Sequence, residues 1–347
     1  MKKRSLIVVM LLLAMIATLT GCGSSASTSQ GSASAASSGK AKEAADYKIV
    51  LVLPGAVNDQ GWNASNYAGL QACNSDLGTN IEYLENVQSA DFESTFREYA
   101  ERGYDLVISA GSQFDEAAAT VAANYPNTTF MVVNGSNSDL DNLTPVFPKE
   151  YEASYLAGII AGNISTTGKF AMIGGESNEA MEHLMSVYGK TAVSICKERG
   201  ISDASYNLAY ANSWSDVALG KQMGESMIDQ GADVMFTYAN ELGLGAIDAA
   251  IEKGIKVVGY SSDQTTIDPN TVVASISFDF AAMYKWAIGA YLDGTLKGHE
   301  VHEVGINEDI FVPVFTANVS QDIKDQVNNA ITDYKAGKVD LKTLFDS

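Results

Sequence analysis

The stretch Asn58-Asp59-Gln60-Gly61-Trp62-Asn63-Ala64 gathers amides, a carboxylate and an indole directly after the apolar run Ile49-Val50-Leu51-Val52-Leu53 and its breaker Pro54-Gly55. A flat ring beside polar edges suits a flat polar ligand. A loop leaving the carboxyl end of a buried parallel strand is also where open α/β sheets place their ligands. The same residues could serve a purely structural end, with Trp62 covering the strand and Asn63 capping a helix. The residue types recur along the chain. Ser112 and Phe114 follow the run 106–109, and Asn134 and Gly135 follow 130–133. Trp214 and Asp216 follow 206–211, Tyr238 and Asn240 follow 234–236, and Ser262 and Asp263 follow 256–260. Each alone would make an ordinary cap or loop residue. Together they converge on one chemistry, in which rings stack on a base or sugar, amides read its edge and a carboxylate accepts from ribose hydroxyls or a ring N–H.

Other chemistries find little support. Gly162 to Gly168-Lys169 looks like a phosphate loop, but five residues separate the glycines and Phe170 replaces the Ser or Thr that would hold magnesium. Gly243-x-Gly245 lacks the third glycine of a dinucleotide site. The run His299-Glu300-Val301-His302-Glu303 does not have zinc-protease spacing and reads as a solvated charge run in a polar loop after Gly298. With His183 the only other histidine and no Gly-x-Ser-x-Gly elbow, a nucleophile and base do not assemble; carboxylate pairs stay open among 42 acidic residues. The expectation is a protein that is not an enzyme and needs no cofactor or metal.

The elements that must position these groups alternate in period. From Tyr47, short β-rich runs (49–53, 81–84, 106–109, 130–133, 144–147) exchange with helical ones (63–77, 92–101, 115–124). After a helix apolar on most faces at 151–164 the alternation restarts, with strands at 170–173, 206–211, 234–236, 256–260 and 272–276 and helices at 180–198, 216–229 and 243–252. Two doubly wound, parallel α/β lobes are predicted. Gly103, Gly231 and Gly254 each stop a helix just before a strand, three copies of one joint. A helix at 280–296, an apolar run at 310–315 and a helix at 320–334 return to the first lobe and then the second, so several hinge strands are expected. The predicted division is 46–149 with 279–309 for lobe one, and 150–278 with 310–347 for lobe two.

The amino-terminal end reads differently. Lys2-Lys3-Arg4, an apolar run from Leu6 to Leu19 and Leu19-Thr20-Gly21-Cys22 form a signal peptide (1–21) whose ending resembles the bacterial lipobox. Cys22 would be acylated, as by palmitate, and would hold the protein on the extracytoplasmic face of the cell membrane. Residues 22–45, mostly Ser, Ala and Gly, suit a flexible tether. Removing 1–21 takes three positive charges and moves the net charge from −20 to −23, with 19 basic against 42 acidic residues. Such a surface disfavours nucleic acid as a partner. Cys73 and Cys196 read as buried thiols.

From Tyr47 to about Phe315 the chain resembles the basic-membrane-protein lipoproteins, the purine-nucleoside-receptor-like substrate-binding proteins of ABC transporters. The stretches that carry the likeness are 58–70, Phe92-Glu93-Ser94 through Tyr104-Asp105-Leu106, Tyr125-Pro126, and Glu152-Ala153-Ser154-Tyr155-Leu156-Ala157-Gly158. Ser215-Asp216, Gln230-Gly231-Ala232-Asp233-Val234, Gly243-Leu244-Gly245-Ala246-Ile247 and Ser262-Asp263-Gln264 continue it. The resemblance implies the type I periplasmic-binding fold, one ligand between two lobes, and delivery to a permease driven by a separate ATPase. Trp62-Asn63 stands where nucleoside-binding members carry Phe-Asn, and Asp263 stands on their Ser-Asp-Gln aspartate. Ala64 and Asn134 replace aspartates and Phe278 replaces a lysine, each removing a charge from the cleft.

The site expected from both lines of reasoning is Asp59, Trp62, Asn63, Phe114, Asn134, Trp214, Tyr238, Asn240, Asp263 and Phe278. The ligand is a purine nucleoside or a nucleobase, and the receptor is expected to act as a monomer. A sugar-binding or sensory receptor of the same fold is the alternative, since Trp62 and Asp263 serve either ligand.

Overall fold

In the computed structural model, which describes residues 42–58 and 62–345, the first apolar run is β1 (Ile49–Val52), buried on both faces. Ile49, Leu51 and Leu53 enter one core while Val50 and Val52 enter another, as the two-residue period of a covered central strand requires. The chain continues through α1 (Trp62–Asp76), β2 (Glu82–Leu84), α2 (Phe92–Glu101), β3 (Leu106–Ala110), α3 (Asp115–Ala122), β4 (Thr129–Val133) and β5 (Val146–Pro148). It then runs through α4 (Glu150–Ile164), β6 (Lys169–Gly174), α5 (Glu179–Glu198), β7 (Ser205–Tyr210), α6 (Val217–Asp229), β8 (Val234–Tyr238), α7 (Asn240–Lys253), β9 (Lys256–Ser261) and β10 (Val272–Phe278). Last come α8 (Phe280–Leu292), β11 (His302–Val304), β12 (Phe311–Phe315) and α9 (Gln321–Lys335).

Two six-stranded sheets result, in the orders β11-β5-β4-β3-β1-β2 and β12-β10-β9-β8-β6-β7. Every pairing is parallel except β10 with β12, which is antiparallel. Leaving out the late strands, the two orders are the same, and each reverses direction once. The reversal falls between β1 and β3 in the first sheet and between β6 and β8 in the second. Crevices for ligands open at such points, outside the carboxyl ends of the strands.

The helix stops lie where the glycines lie. Gly254 closes α7 in the left-handed region, and Gly103 and Gly231 hold positive φ at the two equivalent joints. The chain passes between the sheets three times, at 148–150, 278–280 and 304–311. The passes run side by side: Lys149 N donates to Val304 O at 2.8 Å and Asp279 N to Ile310 O at 2.7 Å. Beside them, Phe278 stacks on Phe280 at 4.2 Å and meets Phe311 at 5.6 Å. Cys73 in α1 and Cys196 in α5 are buried and free, as expected.

Three local expectations need correction. The run 299–303 is not all solvated loop, because His302 to Val304 pair with β5 as an edge strand and His302 lies beside Trp286 of α8. A strand this short has no pattern of its own and exists through its pairing. The helix expected over 280–296 ends at Leu292, where Gly294 turns the chain at positive φ. α7 starts at Asn240 instead of 243. The expectations for 1–21, Cys22, most of the tether and Asp59 lie outside the described residues.

Candidate functional site

At the reversal point of the first sheet, α1 leaves β1 with Trp62 as its first residue. The indole Nε1 donates to the carbonyl oxygen of Ala110, the last residue of β3, at 3.0 Å. The ring thus spans the crevice between the two strands, and it meets Phe280 in a T-shaped contact at 5.5 Å and 80°. Asn63 Oδ1 accepts from Gly55 N at 3.2 Å, folding the loop after β1 back onto the helix start. Behind them is a residue that sequence reasoning passed over. Asn66, fully buried, donates to Trp62 O at 2.7 Å and accepts from the Tyr284 hydroxyl of α8 at 2.8 Å, so it fixes the turn that carries the indole. Its signal was a polar residue at the core-facing position of α1, four residues after Trp62.

Asn134 directly follows β4 in the left-handed region, φ 61°, and its Oδ1 is buried without a hydrogen-bond partner. The loop that follows is held by Asp115, whose Oδ2 accepts from Ser136 N at 2.7 Å, Ser136 Oγ at 3.2 Å and Asn137 N at 3.2 Å. Phe114 does not join the site. It is fully buried against Phe92 at 4.0 Å and Phe96 at 5.7 Å in the core beneath α2 and α3. The turn of 3-10 helix after Gly111 swings it to that face of the sheet.

The second sheet builds a matching arrangement from different residues. Trp214, in the loop after β7, lies over Gly175, which directly follows β6. It also meets Tyr238, the last residue of β8, edge-on at 6.4 Å. Tyr238 stacks on Tyr260 of β9 at 4.7 Å and 28°. Neither hydroxyl is offered outward, because both donate to Glu150 at the start of α4, Tyr260 to Oε1 at 3.0 Å and Tyr238 to Oε2. Burial pushes the Glu150 carboxyl above the usual range while the two phenols draw it partly back, and burial beside Glu150 raises both phenols well above theirs. Sequence reasoning did not single out Glu150, which stands one residue before the buried helix it expected at 151–164.

Asn240 is exposed at the start of α7. Asp263 is exposed too, and its Oδ1 accepts from Thr265 N at 3.0 Å and Thr265 Oγ1 at 2.5 Å, capping a turn of 3-10 helix. Phe278 is buried in the aromatic row at the crossing, so Trp62, Phe280, Phe278 and Phe311 run unbroken from the first reversal point to the second sheet. One open surface depression, about 310 Å³, lies at the other end of the first sheet, around Tyr47, Asn80, Glu82, Arg102 and Tyr104, far from these indoles. Among the described residues no cluster of three or more His, Cys, Asp or Glu could hold a metal ion.

Two indoles, one bonded to the carbonyl that ends β3 and one over the glycine that follows β6, mark the carboxyl edges of both sheets. The model of one protein family, described as ABC transporter substrate-binding protein PnrA-like, matches residues 47–339. The chain belongs to that family. Its role is solute binding for an ABC transporter, which is not enzymatic. The ABC transporter nucleoside-binding protein BmpA of Lactococcus lactis is 28% identical over 98% of this chain and 99% of its own length. A purine-binding protein of Brucella abortus is 24% identical over 87% of this chain and 84% of its own length. Among solved structures, an ABC transporter solute-binding protein of Aeropyrum pernix superposes with a TM-score of 0.69 at 20% identity, over 85% of this chain and 92% of that one. The fold is the type I periplasmic-binding fold. Among the described residues no helix is long and apolar enough to cross a membrane.

Proposed function

We propose that this substrate-binding protein takes a purine nucleoside or nucleobase between its two sheets and delivers it to a permease worked by a separate ATPase, as a monomer held to the extracytoplasmic face of the membrane by lipid on Cys22. The observation that carries the ligand class is the pair of indoles at the two reversal points, Trp62 bonded to Ala110 and Trp214 laid on Gly175. Large flat rings at both edges suit stacking on a base from either side. Asn63, Asn134, Asn240 and Asp263 are the polar groups for its edges, and Asp59 is proposed with them. The uncharged residues Ala64, Asn134 and Phe278 favour a neutral ligand over a phosphorylated one. The printed names of the Lactococcus and Brucella relatives agree with this class.

Thermal-shift measurements on residues 43–347 with nucleosides, free bases, sugars and amino acids test the reading, since a ligand that binds only the folded state stabilises it with the logarithm of its concentration over Kd. Nucleosides or bases are expected to raise Tm. A shift with a sugar and none with either purine class would overturn the ligand while leaving the receptor. The lipid anchor is tested separately, by radiolabelled palmitate incorporation into the full chain and its loss in Cys22→Ser.

A further inference from the structure

Glu150 is the last residue of the first crossing and the first of α4. Its two carboxylate oxygens serve two different strands, Oε2 taking the hydroxyl of Tyr238 from β8 and Oε1 that of Tyr260 from β9. Those strands end in the loops that carry Asn240 and Asp263, and the Tyr238 ring borders Trp214. One carboxylate therefore ties a crossing between the sheets to both ligand loops of the second sheet. Among the described residues no cation pairs with it. Lys149, its chain neighbour, is turned to Glu152 at 2.6 Å, and α9 adds the Tyr334 hydroxyl to that same pair at 2.6 Å. The titratable groups that face Glu150 from β8 and β9 are the two phenols, and α5 brings no ion pair to it among the described residues.

We propose that Glu150 is a proton-sensing positioning residue of the ligand cleft, acting through Tyr238 and Tyr260. This rests on the reading above that the ligand sits at the carboxyl ends of the strands. An ionised carboxylate is acceptor-only and takes both phenol O–H groups at once. A protonated one loses the charge that strengthens both bonds and gains a donor at one oxygen, so the phenol bonded there is held more weakly or turns to accept instead. Protonation thus loosens the end of β8 or of β9, and with it Trp214 or the Asp263 turn. Because burial holds this carboxyl above the usual glutamate range, the change falls at higher pH than it would for an exposed glutamate. Ligand is gripped while the carboxylate is ionised and released as it takes up a proton.

The test compares the wild type with Glu150→Gln and Tyr260→Phe, using guanosine, adenosine and the free bases as calorimetric probes from about pH 5 to about pH 8. In parallel, tyrosine difference absorbance of the unliganded protein is followed over the same range. Wild-type affinity is expected to fall as the pH drops. Glu150→Gln, which can accept from one phenol and must donate to the other, is expected to bind about 3- to 10-fold more weakly at neutral pH and to lose the slope. Tyr260→Phe keeps the ring but removes one donor from the carboxylate, so its loss of affinity is expected to start at higher pH. A Glu150→Gln protein with the wild-type slope overturns the proposal, as does a tyrosine signal that titrates identically in both. If the wild type binds none of the probes at any pH, the ligand reading fails. The tyrosine signal then still decides Glu150, supporting the coupling if it titrates in the wild type alone and overturning it otherwise.

Discussion

Gly175 lies so close beneath the indole of Trp214 that a Cβ at this position would stand 2.3 Å from ring atoms Cδ2 and Cε3. No rotamer change at the tip of a flexible chain relieves such a contact, since the indole moves as one body. Gly175→Ala is expected to keep the fold, displace Trp214 and weaken ligand binding by about 1–3 kcal/mol, the scale of a lost stacking contact. Calorimetry with indole fluorescence checks it; unchanged emission and affinity would remove Trp214 from the site.

Trp62 combines a ring with a donor, and the two are separable. Trp62→Phe keeps a ring beside Phe280 but loses the bond to Ala110, which should cost about 0.5–1.5 kcal/mol of binding. Trp62→Ala loses both and should cost about 1–3 kcal/mol. If the three proteins bind equally, the crevice between β1 and β3 does not hold the ligand.

Asp263 has one oxygen engaged in capping the turn to Thr265. Asp263→Asn retains an acceptor for that cap and removes the charge, whereas Asp263→Ala removes both. A ligand that uses the carboxylate predicts a similar loss in the two, about 1–3 kcal/mol, with Tm lowered only in the alanine variant. Binding lost only in the alanine variant would reduce Asp263 to a turn-maker.

Glu152 is fully buried and accepts from Lys149 Nζ at 2.6 Å, Tyr334 Oη at 2.6 Å and Ile306 N at 2.5 Å. It joins α4, α9 and the third crossing at one point. Truncation leaves the lysine, itself nearly buried, without its counter-charge, so Glu152→Ala should lower the unfolding free energy by about 3–5 kcal/mol. Urea denaturation gives the value. A loss under about 1 kcal/mol would mean the pair behaves like an exposed one.

Burial pushes the Cys73 thiol from 9.0 up to about 12, against a smaller pull from Lys285. The folded value exceeds the unfolded one, so the stability linked to this proton is complete below 9.0 and is lost as pH rises towards 12. Alkaline unfolding should therefore be delayed in Cys73→Ala relative to its stability at neutral pH. At about pH 8 the folded protein should resist iodoacetamide at Cys73 until urea opens it. Rapid alkylation of the native chain would contradict the burial.

The fold was legible in the sequence because its signals are local. A run such as 49–53 alternates between two cores whatever surrounds it, and Gly254 stops a helix by its own backbone freedom. The caps at Asp216 and Asp279 work the same way: each accepts from a backbone N–H three residues on. The loops that carry Trp62, Trp214 and Asp263 were legible for the same reason, as they follow strand ends that local pattern marks. What lay beyond reach was non-local. Phe114 looked equivalent to Trp62 until a short 3-10 turn sent it to the other face of its sheet. β11 exists only because β5 offers it an edge. Glu150 gained its meaning from hydroxyls 88 and 110 residues away. Sequence by itself determined most of the segments that form strands and helices and where the loops after the strand ends begin, since those follow from period, caps and breakers. Tertiary structure alone decided which side chains meet, because a contact depends on the register of strands and the rotation of helices that no short window of sequence contains.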